Sequence, residues 1–326
     1  MSPFAPLIDQ PQAVELLSQA VAKNRIAPAY LFAGKPGVGR RLAAECFLSL
    51  LFTTETSAIA PPKALQRRIQ ERNHPDLLWV EPTYLHQGKR LSIAEATEAG
   101  LKPKSHPVVR LEQVRDIARF LSRAPLEAAR SVVVIDQAET MAEGAANGLL
   151  KTLEEPGQAT LILIAPGVES LLPTLVSRCQ RIPFYGLTAN GMAQVLQRSG
   201  HGEMLQQPDV LQLAQGSPGA AIEHWQQLQA IPAELLQAVT TPPRTFREAL
   251  SLARDIDKTL ESDSQRWLIG YLQQTYWQQS CTAQQPNPAS VSLLEQARLH
   301  LLRSVQPRLV WEVTLLHLAG AAQRSR

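Results

Sequence analysis

The first half of the chain alternates short apolar runs with segments whose apolar residues recur at helical spacing. The runs that predict strands are Ala29–Ala33, Leu77–Val80, Ser131–Ile135, Thr160–Ala165 and the shorter Arg181–Phe184. Continuous apolar runs rich in β-branched residues, separated by helices, are typical of a parallel sheet covered on both faces. The pattern therefore predicts an α/β domain over residues 1–185.

Helical spacing separates these runs. Residues 10–24 place Val14, Leu17 and Val21 on one face, which predicts an amphipathic helix. Similar spacing predicts further helices over Leu42–Phe52, Arg110–Ser122 and Ala142–Leu153. Thr83–Val108 is rich in Gly, Pro, Lys and His, and it predicts a surface insertion with a short helix near Ile93–Ala99.

The pattern becomes helical throughout after about residue 186. Pro232, Pro242 and Pro243 interrupt it, and the polar stretch Gln279–Pro288 predicts a loop. These breaks predict a small helical lid over residues 186–235 and a second helical domain over residues 236–326.

Composition excludes some classes of protein and leaves others open. The chain has 326 residues, 44% of them hydrophobic, and a net charge of +3. That charge permits DNA contact without predicting it, and we find neither a basic stripe nor a helix-turn-helix pattern, which argues against a sequence-specific DNA-binding protein. No pair of strand-borne carboxylates suits a two-metal polymerase site.

Features that bear on location point to the cytoplasm. The three cysteines, Cys46, Cys179 and Cys281, are few and widely separated, which argues against a disulfide framework and for a reducing compartment. The first residues lack the pattern of a secretory signal. The apolar runs are too short to cross a bilayer.

A glycine cluster follows the first predicted strand. Gly34 and Gly39, with Gly37 between them, have the spacing of the phosphate loop G-x-x-x-x-G-K-[ST]. Arg40 replaces the lysine of that motif, and Arg41 replaces the hydroxyl residue that ligates magnesium. The spacing fits the shape of a phosphate loop that lacks the lysine and the magnesium ligand. It fits equally well a simple glycine turn in any α/β protein.

A second candidate nucleotide element is the apolar run that ends in Asp136. A carboxylate there can hold magnesium through water. Gln137 follows in place of the usual glutamate, and a neutral amide cannot act as a general base. We expect Glu139, two residues further on, to face elsewhere. The alternative interpretation of this run is sheet core alone, and it certainly holds for the valines.

Several segments together resemble one family, the AAA+ subunits of bacterial sliding-clamp loaders. Ala145–Pro156 is similar to their A-N-A-L-L-K-x-L-E-E-P segment, and Ser177–Cys179 matches their S-R-C motif. Further matches are His74–Asp76 (H-P-D), Leu111–Arg115 and Ala29–Gly34. The resemblance is dense over residues 1 to about 185 and weak to residue 222. It implies an AAA+ nucleotide domain, a helical lid and a helical collar that assembles a five-subunit ring.

Within that family the chain resembles the delta-prime branch rather than the ATP-hydrolysing gamma/tau subunits. The departures from the hydrolysing pattern are Arg40 and Arg41 in the loop, Gln137 at the catalytic acid, Ala165 at the first sensor and Gly219 at the second sensor. The segment Tyr84–Lys89 and the insertion after it are similar to cyanobacterial members.

The resemblance implies a role for Arg178. It would act in trans as an arginine finger on the γ-phosphate of ATP bound by the neighbouring subunit, while Ser177 holds the turn and Cys179 packs beneath it. A planar, permanently charged guanidinium suits contact with two phosphate oxygens. The alternative is an arginine in a surface salt bridge.

The same resemblance implies partners and cofactors. The partners would be the gamma/tau ATPase and delta subunits, in a complex that acts on the sliding clamp and primer–template DNA, with no membrane. The chain would belong to the DNA polymerase III holoenzyme without ATPase or polymerase chemistry of its own. An independent AAA+ ATPase such as a helicase loader is the alternative, against which Arg40, Arg41 and Gln137 argue.

Further expectations concern bound zinc or ATP and the apolar residues of the last helix. Many relatives carry a four-cysteine zinc module, but Thr53–Asn73 contains no cysteine, so we expect no zinc there and a turn or capping role for His74. We also do not expect the loop to bind ATP. In the last helix, some apolar residues would either face neighbouring subunits or fill an internal core: Leu309, Val310, Val313, Leu315 and Leu316.

Overall fold

A computed structural model describes most of the chain. The described residues are 2–54, 62–101, 106–155, 157–282, 288–303 and 305–324. Four predicted segments therefore lie partly outside them: the polar stretch before His74, the insertion, the loop before residue 288, and the family segment at Pro156.

The chain forms two compact units. The first contains residues 1–200 and 216–219, and the second contains residues 201–215 and 220–326. The division into three domains at residues 185 and 235 stays a prediction.

The first unit contains seven described strands and eight described helices. The strands are β1 (Ala29–Ala33), β2 (Leu77–Val80), β3 (Tyr84–His86), β4 (Lys89–Leu91), β5 (Ser131–Ile135), β6 (Ala159–Ala165) and β7 (Gln180–Pro183). The helices are α1 (Pro11–Ala22), α2 (Arg40–Thr54), α3 (Pro62–Gln70), α4 (Ile93–Glu98), α5 (Leu111–Leu121), α6 (Glu143–Glu154), α7 (Pro173–Val176) and α8 (Ala189–Arg198).

Five of the strands form one parallel sheet in the order β2-β5-β6-β1-β7, which confirms the predicted α/β class. Strands β5 and β6 are buried along their whole length, as their Val, Ile and Leu residues predict. Because the strands are parallel, the residues that follow β1, β5 and β6 meet at one edge of the sheet. This geometry brings the glycine loop, Asp136 and Ala165 together.

In the part of the chain that the structure describes, β2 and β7 are the outer strands of this sheet. Strand β7 pairs with β1 alone, and its first two residues, Gln180 and Arg181, are exposed. It ends in Pro183, which has no backbone N–H to donate.

The H-P-D segment anchors a neighbouring loop. The Asp76 carboxylate, only 2% exposed, accepts hydrogen bonds from the backbone N–H groups of Leu126, Glu127 and Ala128 at 2.7–2.8 Å. The Nδ1 atom of His74 accepts from the Asp76 N–H at 3.2 Å, and its ring stacks on Phe52. The prediction that His74 is a turn residue is confirmed.

Two local elements were not predicted. The polar stretch before His74 contains α3, whose one strongly buried apolar residue is Ile69. The insertion contains an antiparallel hairpin of β3 and β4, with left-handed backbone at Gln87 and Gly88. The predicted short helix is confirmed as α4, and Ser92 and Glu95 form a capping box at its start.

The second unit is helical, as predicted. Its helices are α9 (Pro208–Ala214), α10 (Pro218–Ala230, which begins in the first unit), α11 (Ala233–Val239), α12 (Phe246–Thr259), α13 (Ser262–Thr282), α14 (Pro288–Leu302) and α15 (Pro307–Arg324). Trp311 is fully buried, and its indole N–H donates to the side chain of Gln265 at 2.8 Å. None of the described helices has the length and apolar composition that a membrane span requires.

Candidate functional site

The glycine cluster forms a tight turn between β1 and α2. Gly37 and Gly39 have φ values of +78° and +102°, which favour glycine. A Cβ atom at Gly34 would lie 2.4 Å from the carbonyl oxygen of Phe184. Helix α2 begins at Arg40, two residues earlier than predicted, so both arginines belong to its first turn.

The first residues of α10 cover this loop. The hydroxyl of Ser217 donates to the Pro36 carbonyl at 2.7 Å, and the Gly219 N–H donates to the Gly37 carbonyl at 3.2 Å. A Cβ atom at Gly219 would lie 2.7 Å from the Cα atom of Gly37. The position expected to carry a sensor arginine in hydrolysing relatives therefore packs against the loop backbone, where no side chain fits.

This close approach predicts the effect of one methyl group. Gly219→Ala is expected to destabilise the first unit by about 1–3 kcal/mol, because the methyl group would have to push backbone away from Gly37. Urea unfolding would measure the change. Gly144→Ala is the matched control, since Gly144 also occupies the second position of its helix and a Cβ there meets nothing within 4 Å. If the two variants are equally stable, the contact does not constrain the loop.

A salt-bridge cluster surrounds Asp136, the carboxylate that the sequence marked as a candidate magnesium ligand. The Nε atom of Arg41 lies 3.2 Å from the Oδ2 atom of Asp136, and its Nη2 atom contacts Glu81. The same Glu81 oxygen lies 2.6 Å from Arg72. The guanidinium of Arg41 thus balances the carboxylate that would otherwise attract a divalent cation, so these residues do not fit bound magnesium.

Arg40 and Glu139 add a second pair of opposite charges. Arg40 is buried, and burial lowers its pKa while Glu139 and Asp136 oppose that effect. Burial also raises the pKa of Glu139. Within the described part of the chain, the Nη1 atom of Arg40 and the Oε2 atom of Glu139 have no hydrogen-bond partner. Glu139 raises the pKa of Arg40 through its charge, and the expectation that Glu139 faces away from the loop stays a prediction.

The remaining predicted positions lack hydrolytic groups. Gln137 is exposed and has left-handed backbone, and Ala165 is fully buried at the end of β6. An amide cannot take a proton from water, and a methyl group cannot bind a phosphate. Sequence reasoning missed Glu81 and Arg72. Glu81 directly follows the apolar run of β2, just as Asp136 follows that of β5, so the same position at a strand end could have indicated it.

Arg178 lies on the surface, in the turn after α7. Its side chain is 37% exposed, and its Nη2 atom lies 2.7 Å from the Oε1 atom of Glu154. Its Nη1 atom donates to the Thr174 carbonyl at 3.1 Å, and the Ser177 hydroxyl donates to the same carbonyl at 3.0 Å. The alternative interpretation, a surface salt bridge, is therefore realised in this chain. Sequence reasoning missed Glu154 as its partner.

Topology separates Arg178 from the chain's own loop. Arg178 precedes β7, whereas the glycine loop follows β1, and these two strands run parallel. The four residues of β7 span roughly 13 Å. Arg178 thus lies towards the opposite end of the sheet from the loop, while Cys179 packs into the core below it and burial raises the pKa of that thiol to about 11.

This chain combines a parallel α/β unit, a glycine loop after its first strand and a helical second unit, and the side chains predicted beside the loop are not hydrolytic. Similarity to known proteins assigns the chain to a family. A family model described as DNA polymerase III, delta subunit, matches residues 9–188, and one described as cyanobacterial DNA polymerase III delta prime, C-terminal domain, matches residues 190–318. The chain therefore belongs to the DNA polymerase III delta-prime family, which confirms the resemblance found in the sequence.

Individual relatives support this assignment. The delta' subunits of Bacillus subtilis and Pseudomonas aeruginosa are each 35% identical over 181 residues, or 55% and 54% of this chain. Those matches cover 48% and 49% of the relatives, so the chain spans about half the length of the curated proteins it matches. A DNA polymerase III gamma subunit-related protein of Thermotoga maritima shares the fold, with a TM-score of 0.53 and 18% identity over 97% of this chain and 100% of that one.

Proposed function

We propose that this chain is a non-hydrolysing member of a clamp-loader ring that supplies Arg178 to ATP bound by an adjacent subunit. The proposal rests on the contrast between the chain's own glycine loop and the surface position of Arg178. The chain's own loop is covered by Ser217–Gly219 and neutralised by its own side chains, whereas Arg178 is exposed on the surface.

The charges at the loop support the absence of a bound nucleotide. Arg41 forms salt bridges with Glu81 and Asp136, and Arg72 forms one with Glu81. The charges of Glu139 and Asp136 also act on buried Arg40. A triphosphate would have to displace these pairs, and its magnesium would meet the Arg41 guanidinium. The binding free energy that phosphate loops normally obtain from a lysine and a metal is therefore lost.

The surface position of Arg178 supports action in trans. A guanidinium has five N–H donors, and among the described residues two of its nitrogens have partners, the Glu154 carboxylate and the Thr174 carbonyl. Since β7 separates Arg178 from its own loop, a phosphate in reach of this side chain would belong to another chain.

Exposed apolar residues on the paired helices α12 and α15 support assembly with other subunits. Leu309 and Val313 are about half exposed, as are Phe246 and Leu250 on α12, whereas Val310 and Leu315 are buried in the core of the second unit. Helix faces of this kind suit burial against neighbours, which here would be the gamma/tau and delta subunits. The complete assembly would then act on the sliding clamp and on primer–template DNA.

Titration of the isolated chain with Mg·ATP tests the first half of the proposal. We expect neither binding heat nor phosphate release, because Arg41 occupies the cation position and Gly219 closes the loop. Adding the chain to purified gamma/tau and delta subunits should raise ATP turnover and form a stable complex in size-exclusion chromatography. Magnesium-dependent hydrolysis by the isolated chain would instead favour the independent ATPase.

A further inference from the structure

The partner of Arg178 within the chain lies at an unusual place for an acid. Glu154 is the last residue of α6, and Glu155 follows it. Carboxylates at a helix C-terminus face the negative end of the helix dipole, which is locally unfavourable. Because such local conflicts concentrate at functional sites, the Glu154–Arg178 pair calls for an explanation beyond the stability of α6.

Buried side chains fix α6, which carries Glu154, relative to the turn that carries Arg178. Leu153, which precedes Glu154, and Leu175 and Val176, which precede the Arg178 turn, belong to one buried cluster. The Arg178 N–H donates to the Leu175 carbonyl at 3.1 Å, so the turn is also held by its backbone. Packing therefore sets the distance between Glu154 and Arg178, and the ion pair sets the orientation of the Arg178 guanidinium.

The pair fixes the direction of a side chain that would otherwise be free to rotate. An exposed arginine has many rotamers, and an exposed ion pair alone contributes little to stability. Here two separate acceptors, Glu154 Oε1 and the Thr174 carbonyl, hold different nitrogens of one planar guanidinium. The other N–H groups of the same plane are left with a defined direction.

We propose that Glu154 is a positioning residue that holds Arg178 in the orientation in which it meets a phosphate of the adjacent subunit. This inference rests on the proposed trans function of Arg178. Glu154 does not contact the phosphate. It acts through Arg178 by limiting the orientations that the guanidinium can adopt. This restriction preorganises the guanidinium for contact with the phosphate.

The test is ATP turnover by the reconstituted loader with variants of this subunit alone. Glu154→Ala is expected to lower kcat about tenfold at an unchanged KM for ATP, because the nucleotide is bound by the other subunit and only orientation is lost. Glu154→Gln keeps an acceptor oxygen and should recover most of the rate. Glu154→Ala should have no further effect when Arg178 is already alanine.

Glu155→Ala is the matched control, since it removes the same charge from the same helix end, and it should behave like the unaltered chain. Equal turnover of Glu154→Ala and the unaltered loader, with Arg178→Ala impaired, overturns the positioning role and leaves the trans function intact. Faster turnover of Glu154→Ala also overturns it, because the carboxylate would then compete with phosphate. Full turnover of Arg178→Ala overturns the proposed function itself, and the inference with it.

Discussion

Arg178→Ala is expected to reduce ATP hydrolysis at the interface that this subunit serves by about 10³-fold or more. The guanidinium would neutralise charge that develops on the transferred phosphoryl group, and a methyl group offers no donor in its place. Binding of ATP by the neighbour and assembly of the ring should be retained, because the side chain is exposed and its polar partners among the described residues are Glu154 and Thr174. Phosphate release by the reconstituted loader, stimulated by clamp and primed DNA, measures the effect.

Two further variants sharpen this experiment. Arg178→Lys keeps the charge but loses the planar fork, so it should recover only part of the rate. Arg181→Ala removes an equal charge from an exposed position three residues away on β7 and should leave turnover unchanged. Full turnover by Arg178→Ala in an intact complex would mean that Arg178 does not contribute to ATP hydrolysis. Its role would then be limited to the salt bridge with Glu154.

Asp76→Ala is expected to lower the free energy of unfolding of the first unit by about 3 kcal/mol. The substitution removes one buried carboxylate that accepts three backbone hydrogen bonds, from Leu126, Glu127 and Ala128. It also frees the loop that leads into β5. Hydrogen exchange of peptides from β2 and β5 should report the loss directly, since both strands adjoin the anchored loop.

Asp116→Ala is the control for this substitution. Asp116 pairs with Arg90 at 3.0 Å on the surface, and its loss should cost less than about 1 kcal/mol. A stable Asp76→Ala variant that fails to join the loader would contradict the structural role and place Asp76 in a subunit interface instead.

The apolar pattern was sufficient to predict the sheet, because β1, β5 and β6 are almost entirely buried, β2 is at least half-buried, and the sequences of all four are almost purely apolar. Strands β3 and β4 were missed for the opposite reason. Their residues are mostly exposed and mix apolar with charged side chains, so the hairpin depends on left-handed turn geometry at Gln87 and Gly88 rather than on a buried apolar face.

The departures from the phosphate-loop motif can be read from single positions, but the contacts that surround the glycine loop cannot. Arg41 and Gln137 differ from the motif in ways that a sequence displays. The contact of Arg41 with Glu81 joins residues forty positions apart, and the approach of Gly219 to Gly37 depends on how α10 begins. Such pairings arise from tertiary packing, so a motif can identify a defective site without describing what fills it.

The outer edge of β7 affects whether the sheets of neighbouring similar chains can pair with one another. Several subunits with related sheets would be crowded together in a ring, and an unpaired strand can recruit a strand from a neighbour. The exposed charge of Arg181 and the missing N–H of Pro183 make this edge a poor template for such pairing. In the proposed ring, the short strand that follows the arginine turn would thereby also disfavour misjoined sheets and aggregation.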